Sequence, residues 1–287
     1  MELRLDKEPV FLSETVFDGQ NEQGVELDYI LPDYYPDIFK ILKCTITPGI
    51  VSYSLSGSQL FYDAAARVRV MYISEESGEI HCVEQRYTYS KAVDLPRPCD
   101  KGSVKLRPIT EYANCRAVSS RRIDVRGAVS CKIKISAVKE VSVISGADDL
   151  EVKRFGLTYC SDKLIAQRLF AVREDIETGT GAIVSILSSD VCAEVSDVKI
   201  IADKAVVKGT ARLKALYCVK RSNLSVETEV MEADIPLSQI IELEGVSDEH
   251  VCVSSFCVMD LNLEIKSTEG EASVIGCSAT VDCTVTA

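Results

Sequence analysis

The chain lacks tryptophan, and phenylalanine and tyrosine give it an aromatic share of only 6%. Its longest apolar runs fall far short of the roughly 18 residues that a membrane-spanning helix needs. The N-terminal residues do not place a basic segment before an apolar one, so they do not predict a signal peptide. We therefore expect a soluble, cytoplasmic protein whose cores are filled by aliphatic side chains.

The chain also lacks an excess of positive charge. Its 44 acidic and 32 basic residues give a net charge of −12, whereas proteins that bind nucleic acid present a basic surface to the phosphates. The densest basic segment surrounds Arg121 and Arg122, and its side chains alternate between the two sides of a predicted strand. We expect neither nucleic-acid binding nor membrane insertion.

Histidine is scarce, because only His81 and His250 occur in 287 residues. The sequence has no nucleophile elbow, phosphate-binding loop or zinc-protease motif. His81 directly precedes Cys82 on a predicted strand, where adjacent side chains point to opposite faces. We predict no catalytic residue and no cofactor. An enzyme remains a third hypothesis, which would require distant strands to bring His250 to a cysteine and an acidic residue.

Twelve cysteines are present, but no two of them have the C-x-x-C spacing that is typical of zinc knuckles and redox motifs. Several occupy alternating strand positions, where a thiol acts as a small apolar side chain: Cys131, Cys218, Cys277 and Cys283. We therefore expect reduced thiols and no metal site.

One segment carries signals that are typical of a short helix. Pro36 suits the first helical position, and Asp37 lies where the helix dipole favours an anion. Ile38, Ile41 and Leu42 follow at the spacing of one apolar stripe. These residues predict a helix over 36–43.

The helix-like segment recurs later in the chain. Residues 38–42 align with residues 183–187 at a separation of 145, and that alignment predicts a second short helix. Three further segments recur in the same order: 66–72 as 211–217, 95–96 as 235–236, and 125–129 as 274–278. We predict two tandem modules, 1–146 and 147–287.

Most of each module has the alternating pattern of strands. Residues 123–135 place seven small or apolar side chains on one face, and turn residues separate the strand-like segments. Residues 164–176 fit either a strand or a short helix. We predict an all-β fold, a β-sandwich or partly open barrel, with one short helix in each module.

The motif Leu-Pro-Asp-x-x-Pro-Asp-Ile-x-x-Ile-Leu at 31–42 resembles the SPOCS domain of clostridial spore-coat morphogenetic proteins of the SipL type. The strands at 66–72 and 121–127 resemble it too. The first module carries the fuller match, whereas Gly181 and Ala182 replace the Pro-Asp pair in the second.

This resemblance implies a non-enzymatic scaffold of spore coat assembly, located in the mother cell at the forespore surface. It implies other spore coat morphogenetic proteins as partners, with the coat basement-layer ATPase as one candidate. Proteins of this type often end in a LysM module, and the sequence has no LysM-like segment. The alternative function is a tandem β-sandwich protein that binds a small ligand or carbohydrate and is unrelated to sporulation. The lack of tryptophan counts against that alternative.

Five residues are candidates for partner binding: Asp33, Tyr34, Tyr35, Pro36 and Asp37. The start of a helix, with the tyrosines packed on the module, explains them without any binding role. The alternative is an exposed patch of aromatic and acidic side chains that binds a partner, because tyrosine is favoured in binding hot spots; the helix start is the preferred explanation, since it already accounts for Pro36 and Asp37. A long exposed strand edge is the second binding candidate.

Overall fold

The computed structural model describes residues 5–147, 153, 155–156, 164–220, 226–247, 249–266 and 272–287. These residues form twelve strands and no helix, so the predicted all-β class is confirmed and the predicted helices are wrong. The strands are β1 Leu5–Ile30, β2 Ile38–Ser56, β3 Gln59–Ser74, β4 Ile80–Asp94, β5 Ser103–Ser119, β6 Arg122–Ala147, β7 Ile165–Thr180, β8 Ala182–Ile201, β9 Lys204–Lys220, β10 Val226–Glu242, β11 Val253–Lys266 and β12 Ala272–Thr286.

The strands form four antiparallel sheets of three strands each. Their orders are β1-β6-β5, β2-β3-β4, β7-β12-β11 and β8-β9-β10. Strands six apart in the chain hold equivalent positions, so the first and second halves have the same sheet topology. The division into modules 1–146 and 147–287 remains a prediction. The segment at 164–176, which fitted a strand or a helix, lies almost wholly in β7.

Two β-bulges explain why the sequence imitates a helix at the start of β2. Phe39 and Leu42 are extra residues without a partner in β3, and they are 70% and 45% exposed. Each bulge adds one residue to the usual alternation. Ile38, Ile41 and Cys44 therefore face the same core at a spacing of three residues, which also suits an α-helix.

The same bulges occur in the second half. The second predicted helix, at 183–187, is therefore also part of a strand, β8, whose bulges imitate helical spacing. β2 and β8 each contain three residues without a partner in the central strand of their sheet. The pairs, each 145 residues apart, are Phe39 and Val184, Leu42 and Leu187, and Val51 and Ser196. The repeat therefore extends to the irregularities of the strands.

The cores are mainly aliphatic. One cluster of buried residues joins β8–β10 to β11 and β12 in the second half, and two clusters fill the first half. In the first half β2 and β5 bring the two sheets together, and Thr110 Oγ1 donates to the Ile46 carbonyl oxygen at 2.5 Å. Tyr72 is the largest of the fully buried side chains.

Charged residues connect the two halves. On β3, Arg67 is only 5% exposed, and its Nη2 lies 3.6 Å from Asp260 Oδ1 on β11. Arg86 Nη2 lies 2.8 Å from the other oxygen of Asp260. Arg69 Nη1 donates to Ser189 Oγ on β8 at 3.1 Å. These contacts tie the outer face of β2-β3-β4 to the second half.

Candidate partner-binding loop

The five candidate residues lie in the connection between β1 and β2, residues 31–37, which we call the β1–β2 loop. Leu31 anchors its start in the core, where it is only 2% exposed. The backbone then turns, and Tyr35 N donates to the Pro32 carbonyl oxygen at 2.9 Å. Pro36 has no N–H to donate, which suits an irregular segment just before a strand. The segment that predicted the start of a helix therefore contains a turn over residues 32–35, and Pro36 follows that turn.

Arg121, at the tip of the β5–β6 hairpin, holds the loop in place. Its Nη2 donates to the carbonyl oxygens of Leu31 at 3.1 Å and Pro32 at 2.8 Å. Its Nη1 donates to the carbonyl oxygen of Tyr35 at 3.3 Å and to Asp37 Oδ1 at 2.6 Å. One guanidinium therefore binds three backbone carbonyls and one carboxylate of the loop. Sequence analysis placed Arg121 in a basic segment whose side chains alternate between the two sides of a strand, and it missed this role.

Asp37 completes the connection to the hairpin. Its second carboxylate oxygen accepts a hydrogen bond from Ser120 Oγ at 2.9 Å, and Ile38 N donates to the Ser120 carbonyl at 2.7 Å. Hydrogen bonds from Arg121 and then from Ser120 hold the pKa of Asp37 below its usual value. Asp37 therefore has a structural role as an ionised acceptor.

Buried aromatic side chains support the loop from below. The hydroxyl of Tyr72, which is 0% exposed, donates to the Pro36 carbonyl oxygen at 3.1 Å. The Tyr72 ring stacks on His81 with a centroid distance of 5.7 Å. Tyr35 is half-buried against the same core, and burial raises its pKa. Tyr35 and Pro36 are thus part of the folded framework.

Asp33 and Tyr34 face solvent instead. Tyr34 is 80% exposed, although its ring centroid lies 4.8 Å from that of Tyr35. The Asp33 side chain is fully exposed and lies 3.6 Å from Arg121 Nη2. Ile30 and Phe39, on either side of the loop, are 67% and 70% exposed, and sequence analysis did not select them. The partner-binding role of the five candidate residues remains a prediction.

Each of the two histidines, which a catalytic site could use, contacts a nearby residue. His81 lies beside Tyr72, and burial lowers its pKa. His250 Nδ1 lies 2.9 Å from Ser247 Oγ, three residues away in the same loop. Within the described part of the chain, no three His, Cys, Asp or Glu side chains are grouped closely enough to hold a metal ion. Nor do these residues include a helix that could cross a membrane.

The second binding candidate, an exposed strand edge, has a counterpart in the structure. β5 pairs with β6 only as far as Ser136, whereas β1 continues along β6 to Ala147. The N-terminal part of β1 and the C-terminal part of β6 therefore form a two-stranded ribbon beyond the sheet. Pro9 removes one donor from the β1 edge of this ribbon. A binding role for the ribbon is also untested.

The fold and the loop define an all-β protein with a rigidly held surface turn. Residues 182–266 match the family model described as SipL, SPOCS domain. This region of the second half is therefore similar to the SPOCS domain. No curated protein and no solved structure matches the chain.

The matched residues comprise β8, β9, β10 and β11. The motifs at 31–42, 66–72 and 121–127 lie outside them, so the match falls on the half in which sequence analysis found the weaker resemblance. The first half is related to the matched region by its strand order and by the bulges 145 residues away.

Proposed function

We propose that the protein is a non-enzymatic scaffold in spore coat assembly, acting in the mother cell at the forespore surface. The match of residues 182–266 to the SPOCS domain carries this proposal. SPOCS domains form a non-catalytic structural family whose name associates the chain with sporulation. Its partners would be other spore coat morphogenetic proteins, among which the coat basement-layer ATPase is one candidate.

The β1–β2 loop supports a role in protein binding. Its backbone is fixed by Arg121 and its base by Tyr72, while the Tyr34 ring projects into solvent. A tyrosine on a rigid backbone loses little conformational entropy on binding and brings a large contact area. We propose Asp33 and Tyr34 as the contact residues, with Tyr35, Pro36 and Asp37 maintaining the loop.

Deleting the gene in the native spore-forming host tests the proposal. We expect the coat to form as layers detached from the forespore in thin-section electron microscopy, with attachment restored by the wild-type gene. A normally attached coat in the deletion strain, in a host where the protein is produced during sporulation, would contradict the scaffold role.

A pair of matched variants tests the contact residues. We expect Tyr34→Ala to fail in complementation while the purified variant keeps the wild-type urea midpoint. Tyr112→Ala is the control, because Tyr112 is 57% exposed on β5, away from the loop. Full complementation by Tyr34→Ala would remove this residue from the contact without removing the scaffold role.

A further inference from the structure

Cys44 and Cys115 approach each other where the two sheets of the first half meet. Cys44 lies on β2 opposite Val70, and Cys115 lies on β5 opposite Val125. Both valines are buried in one core cluster, and both cysteines pack against that cluster while half-buried. The two strands therefore direct one thiol each to the boundary between these sheets, which we call the seam.

The backbone brings β2 and β5 close together at this point. The Ile46 carbonyl oxygen on β2 accepts a hydrogen bond from Thr110 Oγ1 on β5. A Cβ at Gly127 on β6 would lie 2.3 Å from Ile46 Cδ1 and 3.5 Å from Ala113 Cα, so the Ile46 side chain packs where β5 and β6 pair. Cys44 is two residues from Ile46, and Cys115 is two residues from Ala113. Because side chains two apart in a strand share a face, the cysteines continue the same contact.

The two side chains also influence each other's ionisation. Hydrogen bonding between the side chains is the largest influence on both pKa values: it lowers that of Cys44 and raises that of Cys115. The lowered pKa favours the thiolate form of Cys44, and the thiolate is the nucleophile in disulfide exchange. Cys115 also borders a surface depression of about 180 Å³, shared with Arg116 and Arg126, so the pair is open to solvent on the Cys115 side.

We propose that Cys44 and Cys115 are a redox-active pair that forms a disulfide across the seam when the protein meets a low-molecular-weight disulfide. The Cys44 thiolate attacks one sulfur of the oxidant, forms a mixed disulfide and releases one thiolate. Cys115 loses its proton to solvent and attacks the Cys44 sulfur, which expels the second thiolate. The two cysteines are oxidised together, and one disulfide is reduced to two thiols.

The bond would join the sheet β2-β3-β4 to the sheet β1-β6-β5. It would close a loop from residue 44 to residue 115 and so reduce the conformational entropy of the unfolded chain. The position 145 residues after Cys44 is Ser189, so the equivalent bond cannot form in the second half. Burial raises the pKa of the other core thiols, such as Cys131 and Cys283, which makes them poor competitors.

The test is to treat the reduced full-length protein with oxidised glutathione and to map its disulfides. Trypsin places the two cysteines in separate peptides, residues 44–67 and 106–116, and each peptide has only one cysteine. We expect these peptides to be linked and two thiols per chain to be lost. Oxidation without this link, or no oxidation under conditions that oxidise a small dithiol, would overturn the proposal.

Three variants test the order of the steps. Cys115→Ser should accumulate a glutathione adduct on Cys44, because the resolving thiol is absent. Cys44→Ser should leave Cys115 unmodified over the same time, whereas Cys192→Ser, which removes an exposed thiol on β8, should keep the link. An adduct on Cys115 in the Cys44→Ser variant at the wild-type rate would contradict the assignment of Cys44 as the nucleophile.

Discussion

Replacing Arg121 with methionine should release the β1–β2 loop. Methionine keeps an unbranched apolar side chain but provides no hydrogen-bond donor. The change removes donors from the carbonyl oxygens of Leu31, Pro32 and Tyr35 and from the carboxylate of Asp37. Hydrogen bonds from Leu31 N, Ile38 N and Ser120 Oγ still join the ends of the loop to the hairpin, so we expect the effect to be confined to residues 31–38.

The three hydrogen bonds from Arg121 to carbonyl oxygens set the size of the expected loss of loop stability. A hydrogen bond in a protein contributes about 1 kcal/mol on average, and one from a charged donor contributes more. Arg121 is one-third exposed, so water can replace part of each bond. We expect the free energy of loop opening to fall by about 2 kcal/mol, which corresponds to about 30-fold faster amide exchange.

Hydrogen exchange followed by mass spectrometry measures this change. The informative amides are those of Tyr35 and Ile38, which donate within the loop and to the hairpin, and that of Glu75, which donates to the Asp37 carbonyl oxygen. Arg122→Met is the matched control, because the neighbouring arginine pairs with the exposed Asp28 on the surface. We expect the control to exchange as the wild type does in this segment.

Two results would contradict the role of Arg121 in holding the β1–β2 loop. If Arg121→Met and Arg122→Met give the same exchange at residues 31–38, then Arg121 does not hold the loop. If exchange increases equally throughout the chain, the substitution acts on global stability and the loop is not a separate unit.

Three further substitutions follow from the contacts. Gly209→Ala would place a Cβ 2.1 Å from a backbone oxygen, so we expect a lower urea midpoint and a free energy of unfolding reduced by about 1–3 kcal/mol. Gly24→Ala is the control and should be neutral, because a Cβ there has nothing within 4 Å. Asp260→Ala leaves Arg67 buried without this carboxylate and should cost about 3 kcal/mol in urea unfolding. Asp37→Asn should destabilise the protein at neutral pH, and this difference should shrink as the pH falls.

The pH dependence of the last substitution follows from the lowered pKa of Asp37. A group whose pKa is lower in the folded state contributes its stability above its unfolded pKa and loses it as pH falls through the folded value. The difference in urea midpoint between wild type and Asp37→Asn should therefore be constant from pH 7 down to about 4 and decrease below that. A constant difference down to pH 2 would contradict the ion pair.

Small effects of Gly209→Ala and Asp260→Ala on the urea midpoint would contradict the other two predictions. A wild-type midpoint for Gly209→Ala would mean that β8 can move away from β9 at that point. If Asp260→Ala changes stability no more than Asp234→Ala, which breaks the exposed contact with Arg212, the contacts between the halves do not stabilise the fold.

The strand class and the repeat could be predicted because both are written in local patterns. The strand at 123–135 shows an uninterrupted alternation that only one buried face explains, and the spacing of 145 recurs down to single bulges. The helix could not be rejected from sequence. Bulges at Phe39 and Leu42 convert a spacing of two into a spacing of three, and their positions depend on pairing with β3.

The five candidate residues lie together in one loop, and the organisation of that loop depends on distant residues. Arg121 lies more than 80 positions from the loop that it binds, and no local pattern links them. Likewise, Tyr34 and Tyr35 are adjacent and chemically identical, yet one is exposed and the other packs on the core. Only the tertiary arrangement separates a candidate contact residue from a framework residue.

The localisation of a fluorescent fusion to the full chain, followed through sporulation in the native host, tests the scaffold role most directly. The SPOCS match at residues 182–266 leads us to expect production in the mother cell and a ring of fluorescence around the forespore. Diffuse fluorescence throughout sporulation, with production in vegetative cells, would contradict a role in coat assembly.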